Sequence, residues 1–272
     1  ASVPIDPTPP PAAVRTGVWL FSDAPASRLV AAIELADQAG IDEVWVADEG
    51  VSREPVPVLA HAAATTRRVA LGVGITTPLL RHPGALGSTI STLDELSDGR
   101  AMPGLGIGGS LSLDPFGITY DKPVGVVRHA LRIARAVVER RATDGYEPPE
   151  HAAPARSVPM YVGARGEQMN RLASREADGA FLSGFDLARL AEPVTWARSV
   201  RPIHVAIYAS VRFAPGATAD PTMLTGAPIT VAAGLRELVD QHRPETIGLA
   251  LVDGDDPVLM MHEAVATFDA LR

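Results

Sequence analysis

Two acidic residues and a histidine are the side chains best suited to proton transfer. Asp48 and Glu49 directly follow the apolar run "EVWVA", and His82 lies in "RHPG". Carboxylates and imidazoles are the groups that most often act as general acid or base in enzymes. Each also has a structural use, since acidic residues after a strand commonly cap the next segment and His82 lies where a helix begins. Catalysis by Glu49 and His82 is therefore a hypothesis.

Glycine is concentrated in "PGLGIGGSLS", residues 103–112. Gly104, Gly106 and Gly109 fit the G-x-G-x-x-G spacing that holds the pyrophosphate of NAD or FAD in dinucleotide-binding folds. That spacing is meaningful only after a first strand and at the start of a helix, so the surrounding elements decide its value.

A second segment, "GARGE" at residues 163–167, is suited to phosphate. Small residues let backbone amides converge, the helix that starts at Glu167 presents its positive N-terminal end, and Arg165 adds a permanent charge. The same letters also fit a plain tight turn. Phosphate binding at this loop is thus one of two interpretations.

Composition excludes several chemistries. The chain has no cysteine, which rules out disulfides, zinc-thiolate sites and cysteine nucleophiles. Lys122 is the single lysine and its flanks "TYDKPVG" indicate a loop, so neither Schiff-base chemistry nor a P-loop is expected. The net charge of -8, without a basic stripe, argues against a nucleic-acid partner.

The hydrophobic stretches are too short to predict a membrane-spanning segment, so no membrane partner is expected. They fall far short of the roughly 20 apolar residues that span a bilayer, and the N-terminus lacks a charged region followed by a hydrophobic core. A cytoplasmic protein is the expectation. Five prolines in residues 1–15, "ASVPIDPTPPPAAVR", predict an extended arm that precedes a single domain over residues 16–272.

Strand-like apolar runs alternate with helical patterns along that domain. There are eight such runs, at 16–20, 43–48, 69–75, 101–107, 159–163, 179–184, 202–211 and 246–252. Eight strand-then-helix units in about 250 residues predict a (β/α)8 TIM barrel. A dinucleotide-binding fold is disfavoured, because the glycines follow the fourth strand instead of the first and "SLSLDPFGI" is a poor helix start. In a barrel, the chemistry lies at the carboxyl ends of the strands.

Three segments together resemble the bacterial luciferase-like superfamily: "EVWVADE", "VALGVGITTPLLRHPGALGSTISTLDELSDGRAMPGLGIGG" and "VPMYVGARGEQMNRLASREADGAFLSG". The resemblance is strongest to the branch that uses the deazaflavin coenzyme F420 instead of FMN. It runs from about Gly17 to Gly184 and resumes faintly at the last strand. The specific part is T-x-P-x-x-R-H-P after a third strand, then L-x-x-L-S-x-G-R, then a glycine-rich fourth strand.

The resemblance implies where the cofactor ring lies. In this family the ring rests against a bulge at the end of strand 3 that contains a non-proline cis peptide, and Gly74-Ile75 is the matching pair. Thr77 and Asp48 would hydrogen-bond the ring or its ribityl chain. We predict that the flat ring approaches strand 4 at Gly106 and Gly108, where a side chain would block it.

The resemblance also implies that the cofactor phosphate lies on the loop after strand 5. The matching positions are Gly163, Ala164, Arg165 and Gly166. Arg165 and Arg81 are the basic residues proposed to meet the acidic tail of the deazaflavin.

Two departures from the family concern the reaction. Only "SVRFAPGATADPTMLTGAP" separates strand 7 from its helix, so the helical excursion found in relatives is shortened and the pocket should be shallower or closed by a partner subunit. Sugar-phosphate dehydrogenases of the family place a histidine after strand 2 and a glutamate after strand 4. Glu49 and Gly109 stand at those positions here, which disfavours sugar-phosphate oxidation.

The expected protein is an F420-dependent oxidoreductase that transfers a hydride between the cofactor C5 and a small organic substrate. An FMN-dependent monooxygenase is the alternative within the family. A barrel that binds cofactor without catalysis is the alternative of another class. An exposed barrel edge near strands 2 to 4 and the habit of the family predict a homodimer.

Overall fold

Parallel strands close into a barrel in the computed structural model, which describes residues 14–48, 52–214, 220–252 and 256–272. Eight strands form the barrel wall, and a ninth, β8, pairs with β7 alone. The strands are β1 (Arg15–Leu20), β2 (Glu43–Val46), β3 (Ala70–Thr76), β4 (Ala101–Leu105), β5 (Tyr161–Gly163), β6 (Gly179–Ser183), β7 (His204–Arg212), β8 (Met223–Thr225) and β9 (Thr246–Leu251). Pairing of β1 with β9 and of β7 with both β6 and β9 closes the wall. The predicted TIM barrel is confirmed.

Helices follow the strands on the outside of the barrel. They are α1 (Ala26–Ala39), α2 (Pro55–Thr65), α3 (Pro83–Leu96), α4 (Ser110–Leu113), α5 (Pro123–Val138), α6 (Glu167–Glu176), α7 (Ala191–Ala197), α8 (Pro228–His242) and α9 (Pro257–Leu271). Five begin at proline, whose fixed φ suits the first turn and whose missing N–H costs nothing there. Among the described residues, no helix combines the length and the hydropathy needed to cross a membrane.

Two details differ from the expectation. The first strand begins at Arg15, one residue before the predicted domain boundary, while residues 1–13 of the predicted arm lie outside the described ranges. The segment after β7 is not only a loop, since β8 pairs with residues 210–212 of β7. The pairing of β6 with β7 ends at Tyr208, so β8 takes the edge of β7 that β6 leaves.

The hydrophobic core has two parts. The larger part lies between the strands and the helices, where Val18 and Leu20 of β1 are covered by α1 and α9 residues such as Ile33 and Phe268. The smaller part fills the inside of the barrel and is mostly aromatic; its members are Trp45, Met102, Tyr161, Phe181, Ala206, Tyr208 and Ala250. Burying side chains of this size contributes about 1.5–3 kcal/mol each.

The inner aromatic rings fit because neighbouring strands present glycine. A Cβ on Gly72 would lie 2.2 Å from the Trp45 ring, and one on Gly248 would lie 2.3 Å from the Tyr208 ring. Such distances are far inside van der Waals contact. These inward-facing glycines are therefore a packing requirement of the barrel.

A buried carboxylate closes the amino end of the barrel. Glu43 is fully buried and accepts hydrogen bonds from the Tyr208 hydroxyl at 2.6 Å and from Trp45 Nε1 at 3.1 Å. Arg15 Nε lies 3.5 Å from the same carboxylate and reaches solvent. Burial and the Glu43 charge raise the pKa of Tyr208 well above its usual value, so the phenol keeps its proton and donates. The opening at this end is thus filled by protein.

We expect Gly248→Ala to destabilise the fold. Its methyl group would lie 2.3 Å from Tyr208 Cε1 and 2.8 Å from the carbonyl oxygen of Gly17, and the backbone contact cannot relax locally. Overpacking of a core costs about 1–3 kcal/mol in the free energy of unfolding. Urea denaturation followed by circular dichroism measures it.

Gly109→Ala is the matched control. No atom of the described residues lies within 4 Å of a Cβ built there, and the φ of -117° suits any residue. Its free energy of unfolding should stay within about 0.5 kcal/mol of the wild-type value. Equal losses in the two variants would contradict the packing role assigned to the inner glycines.

Candidate active site

The carboxyl ends of the strands form the open mouth of the barrel, where the sequence placed the chemistry. The residues there divide into an apolar floor, a set of buried hydroxyls, an acidic and basic cluster over β2 and β3, and the loop that leads into α6.

Trp19 forms part of the floor. Side chains alternate along β1, so Val18 and Leu20 face the helices while Trp19 faces the barrel interior. The indole Nε1 donates a hydrogen bond of 2.7 Å to the carbonyl oxygen of Gly74 on β3. Its ring packs edge-on against Phe181 at 5.3 Å and beside Phe21 at 4.8 Å. Because the amino end of the barrel is closed, the exposed part of Trp19 faces the mouth.

Trp19 was not among the residues predicted for the site. The alternation in "TGVWLF" places Trp19 and Phe21 on the interior face once a barrel is assumed, so the signal was present. The hydrogen bond to Gly74, 55 positions away, carried no signal in the sequence.

The end of β3 has the predicted irregularity. The Gly74-Ile75 peptide bond is cis, and the register between β3 and β4 shifts between Val73 and Thr76. Ile75 points into the barrel and packs against the inner aromatic core. The bulge and the cis bond that the resemblance implied are both confirmed, whereas contact of this backbone with a cofactor ring stays a prediction.

Ile75 also explains two of the predicted site glycines. A Cβ on Gly163 would lie 2.0 Å from Ile75 Cδ1, and one on Gly106 would lie 2.9 Å from Ile75 Cγ2. Packing against Ile75 therefore requires glycine at both positions, whether or not a cofactor ring approaches them. Gly108 has φ +88°, a left-handed conformation that favours glycine without any ligand. Ring contact at these glycines remains untested.

The hydroxyl of Thr77 is already used within the chain. It donates to the carbonyl oxygen of Ile107 at 2.8 Å and accepts from the Leu79 N–H at 3.2 Å. Thr77 is also buried, so its side chain ties the end of β3 to the end of β4. Only a remaining lone pair is left for the predicted bond to a cofactor. Within the described ranges, the buried hydroxyls of Thr76 and Ser22 have no hydrogen-bond partner, and neither was predicted.

Asp48 lies in a cluster with Arg81. One guanidinium nitrogen of Arg81 is 3.7 Å from Asp48 Oδ2 and 2.6 Å from Glu54 Oε1. The Asp48 side chain is 10% exposed, and Ser112 Oγ donates to its backbone carbonyl at 3.4 Å. Arg81 is thus shared by two carboxylates and is a poorer partner for an acidic cofactor tail than expected. Glu49 lies outside the described residues.

His82 has the structural role that was one of its two interpretations from the sequence: it lies where a helix begins and bonds to the helix backbone. Its Nδ1 accepts a hydrogen bond of 3.1 Å from the Gly84 N–H, and the residue caps the amino end of α3. The side chain is exposed at the surface. The cap leaves Nε2 as the ring nitrogen open to proton exchange, and catalysis by His82 stays a hypothesis.

The loop before α6 presents an unpaired charge. Arg165 is exposed and has no hydrogen bond or ion pair with any residue that the structure describes. Its guanidinium lies over Gly184, where a Cβ would come within 2.8 Å of Arg165 Nη2. Gly166 precedes α6 without any side-chain cap, so the first N–H groups of the helix stay open.

Not every group of this loop is available. The Ala164 N–H points to the carbonyl oxygen of Phe181 at 3.4 Å, in the pairing of β5 with β6. The space beside Gly163 is filled by the side chain of Ile75. The arrangement leaves Arg165, Gly166 and the first turn of α6 as the part of the predicted phosphate loop that can meet an anion.

The structure is therefore a (β/α)8 barrel whose mouth has an apolar floor and, beside it, the open amino end of α6. The luciferase-like monooxygenase family matches residues 7–243, and the chain belongs to that family. The family inferred from the three sequence segments is therefore confirmed.

Two curated relatives carry names that include a substrate or cofactor. The 5,10-methylenetetrahydromethanopterin reductase of Archaeoglobus fulgidus is 31% identical over 176 residues, which cover 62% of this chain and 53% of that protein. The F420-dependent glucose-6-phosphate dehydrogenase of Beutenbergia cavernae is 38% identical over 172 residues, 56% of this chain and 51% of that protein. The matches thus span about half the length of these relatives.

Solved structures agree on the fold. The coenzyme F420-dependent tetrahydromethanopterin reductase from Methanopyrus kandleri superposes with a TM-score of 0.78 at 21% identity, covering 94% of this chain and all of that one. An F420-dependent secondary alcohol dehydrogenase in complex with an F420-acetone adduct gives 0.75 at 16% identity, covering 93% of this chain and 99% of that one.

Proposed function

We propose that this chain is an oxidoreductase that binds coenzyme F420 at the barrel mouth and transfers a hydride between the cofactor C5 and a small organic substrate. The curated relatives that are named for F420 support the choice of cofactor. The observation that carries the proposal is Arg165, which has no ion-pair partner among the described residues and lies at the open start of α6, beside an apolar mouth floor.

The residues of the mouth fit such a group. A ring needs a flat apolar surface, which Trp19, Ile75 and Val252 supply from three different strand ends. A phosphate needs open N–H donors and a cation, which the first turn of α6 and Arg165 supply. When bound, F420 supplies the hydride acceptor or donor.

The protein's own part is orientation and exclusion of water. The floor residues exclude water from one face of the site, while Arg165 and the α6 amides hold the charged end in place. Asp48 and Thr77 keep lone pairs that can accept hydrogen bonds from the ring or the ribityl hydroxyls. Gly106, Gly108 and Gly163 provide backbone next to the floor.

When a hydride leaves the carbon of an alcohol, the hydroxyl oxygen loses a proton, and when a hydride adds to the carbon of a carbonyl group, the oxygen gains one. Glu49 follows Asp48 at the end of β2 and is the group we assign to hold that proton, with His82 Nε2 as the second candidate. Gly109 carries no side chain where some relatives keep a carboxylate, so this chain would use one proton carrier where they use two.

FMN is a second candidate cofactor, and one observation favours it. The acidic tail of F420 calls for several cations on the rim, yet Arg81 is already shared by Asp48 and Glu54. A single phosphate needs only the α6 end and Arg165. An FMN-bound barrel would act as a monooxygenase, and a barrel that binds either cofactor without turnover would be a carrier.

Titration with F420 and with FMN, followed by ring fluorescence, tests the proposal. Arg165→Ala should weaken binding about tenfold or more, because a charge-assisted hydrogen bond contributes about 1.5–3 kcal/mol. Arg175→Ala, at the far end of the same helix, should leave the dissociation constant unchanged. Absence of micromolar binding for both cofactors would contradict the cofactor site, and an unchanged constant in Arg165→Ala would contradict the phosphate loop.

The proposed homodimer has a candidate surface over β2 and β3. No Asp, Glu, Lys or Arg lies in α2. In α3 the acidic residues are Asp94, which is buried against Arg156, and Glu95. Small uncharged side chains such as Ser88 and Thr92 are exposed on the outer face. A face with so little charge, in a chain that is 21% charged, supports burial against a second copy.

Light scattering after size exclusion tests the dimer. The wild-type protein should run at twice the 28.5 kDa mass of the chain. Ser88→Arg should shift it toward the monomer, since it places an unpaired charge in the buried face, while Gln241→Arg on α8 should not. A monomeric wild-type protein, or a dimer that Ser88→Arg leaves intact, would refute this surface.

A further inference from the structure

We infer that Trp19 and Phe21 form an aromatic wall at the barrel mouth that selects an uncharged, apolar substrate. The inference rests on the proposed function, since Trp19 belongs both to this wall and to the floor assigned to the cofactor ring, and Phe21 extends the wall beyond that floor.

The wall is built from consecutive interior positions of β1 and its end. Trp19 and Phe21 are two residues apart, so both point into the barrel, and their ring centroids are 4.8 Å apart. Both are half-buried, which leaves aromatic surface open to the mouth. Aromatic faces of this size bind planar and aliphatic groups through dispersion and desolvation.

The indole is held in one orientation. Its only N–H is used by the 2.7 Å bond to the Gly74 carbonyl, and Phe181 supports its ring from below with an interplanar angle of 78°. A substrate therefore meets an apolar face rather than a hydrogen-bond donor. Because the ring is already fixed, little conformational entropy is lost when it is covered.

One charged residue, Arg212, stands among the remaining interior positions at the described strand ends. By alternation along their strands, these positions hold the apolar or hydroxyl side chains of Ile75, Ser183, Ser210 and Val252, and Arg212 at the end of β7, whose charge acts on the carboxylate of Asp220. A phosphate or carboxylate placed against Ile75 or Val252 would lose its hydration without gaining an ion pair.

Two cations near the mouth already interact with carboxylates. Arg81 is held by Asp48 and Glu54, and the charge of Arg212 acts on Asp220. Arg165 is assigned to the cofactor. A sugar phosphate of the kind named for one relative would thus compete with the carboxylates that hold Arg81 and Arg212, whereas an uncharged ring or chain is complementary to the aromatic surface.

Isothermal titration of the protein with two probes tests the wall. The probes are 1-indanone, an uncharged planar ketone, and glucose 6-phosphate. We expect saturable binding of 1-indanone and none of glucose 6-phosphate. Trp19→Leu keeps the interior filled but removes the aromatic face and should weaken 1-indanone binding about three- to tenfold.

Trp19→Phe and Trp196→Leu are the controls. The phenylalanine keeps an aromatic face and should stay within about twofold of the wild-type affinity, and Trp196 lies on α7 away from the mouth. Tighter binding of glucose 6-phosphate than of 1-indanone, or an unchanged 1-indanone affinity in Trp19→Leu, would overturn the inference. Parallel titration with F420 separates the two proposals. A protein that binds 1-indanone but not F420 supports the wall and rejects the cofactor, whereas a protein that binds F420 but not 1-indanone rejects the wall.

Discussion

The packing of aromatic side chains on a buried carboxylate determines how deep the barrel mouth is. Glu43 lies at the amino end, and the hydroxyl of Tyr208 and the indole of Trp45 bond to it. Phe181 stacks on Tyr208 at 4.5 Å and so raises the filled part of the barrel by one layer. A charge this deeply buried is tolerated because its oxygens are satisfied and Arg15 lies close by.

The next layer is the first one that a ligand can touch. Trp19 rests on Phe181, and Ile75 fills the space that Gly106 and Gly163 leave open. The same glycines thus serve the packing and determine the surface of the site. This arrangement links the glycine content of the barrel strands to function without any direct contact between glycine and cofactor.

Sequence reasoning found the elements whose signals are local. Alternating apolar runs and helical patterns gave the barrel, and the resemblance in "VALGVGITTPLLRHP" gave the bulge and the cis bond at Gly74-Ile75. It missed what depends on pairing across the barrel. The bond from Trp19 to Gly74 and the fit of Ile75 against Gly163 join residues 55 and 88 positions apart, and no local pattern encodes them. His82 shows the reverse case, since its helix cap is local and was foreseen as the structural alternative.

A crystal structure of the protein grown with F420 tests the central claim most directly. The account predicts the deazaflavin ring in van der Waals contact with Trp19 and Ile75, with its phosphate at the start of α6 and the Arg165 guanidinium turned toward it. Density for the ring away from the barrel mouth, or a phosphate that meets neither Arg165 nor the α6 amides, would contradict it.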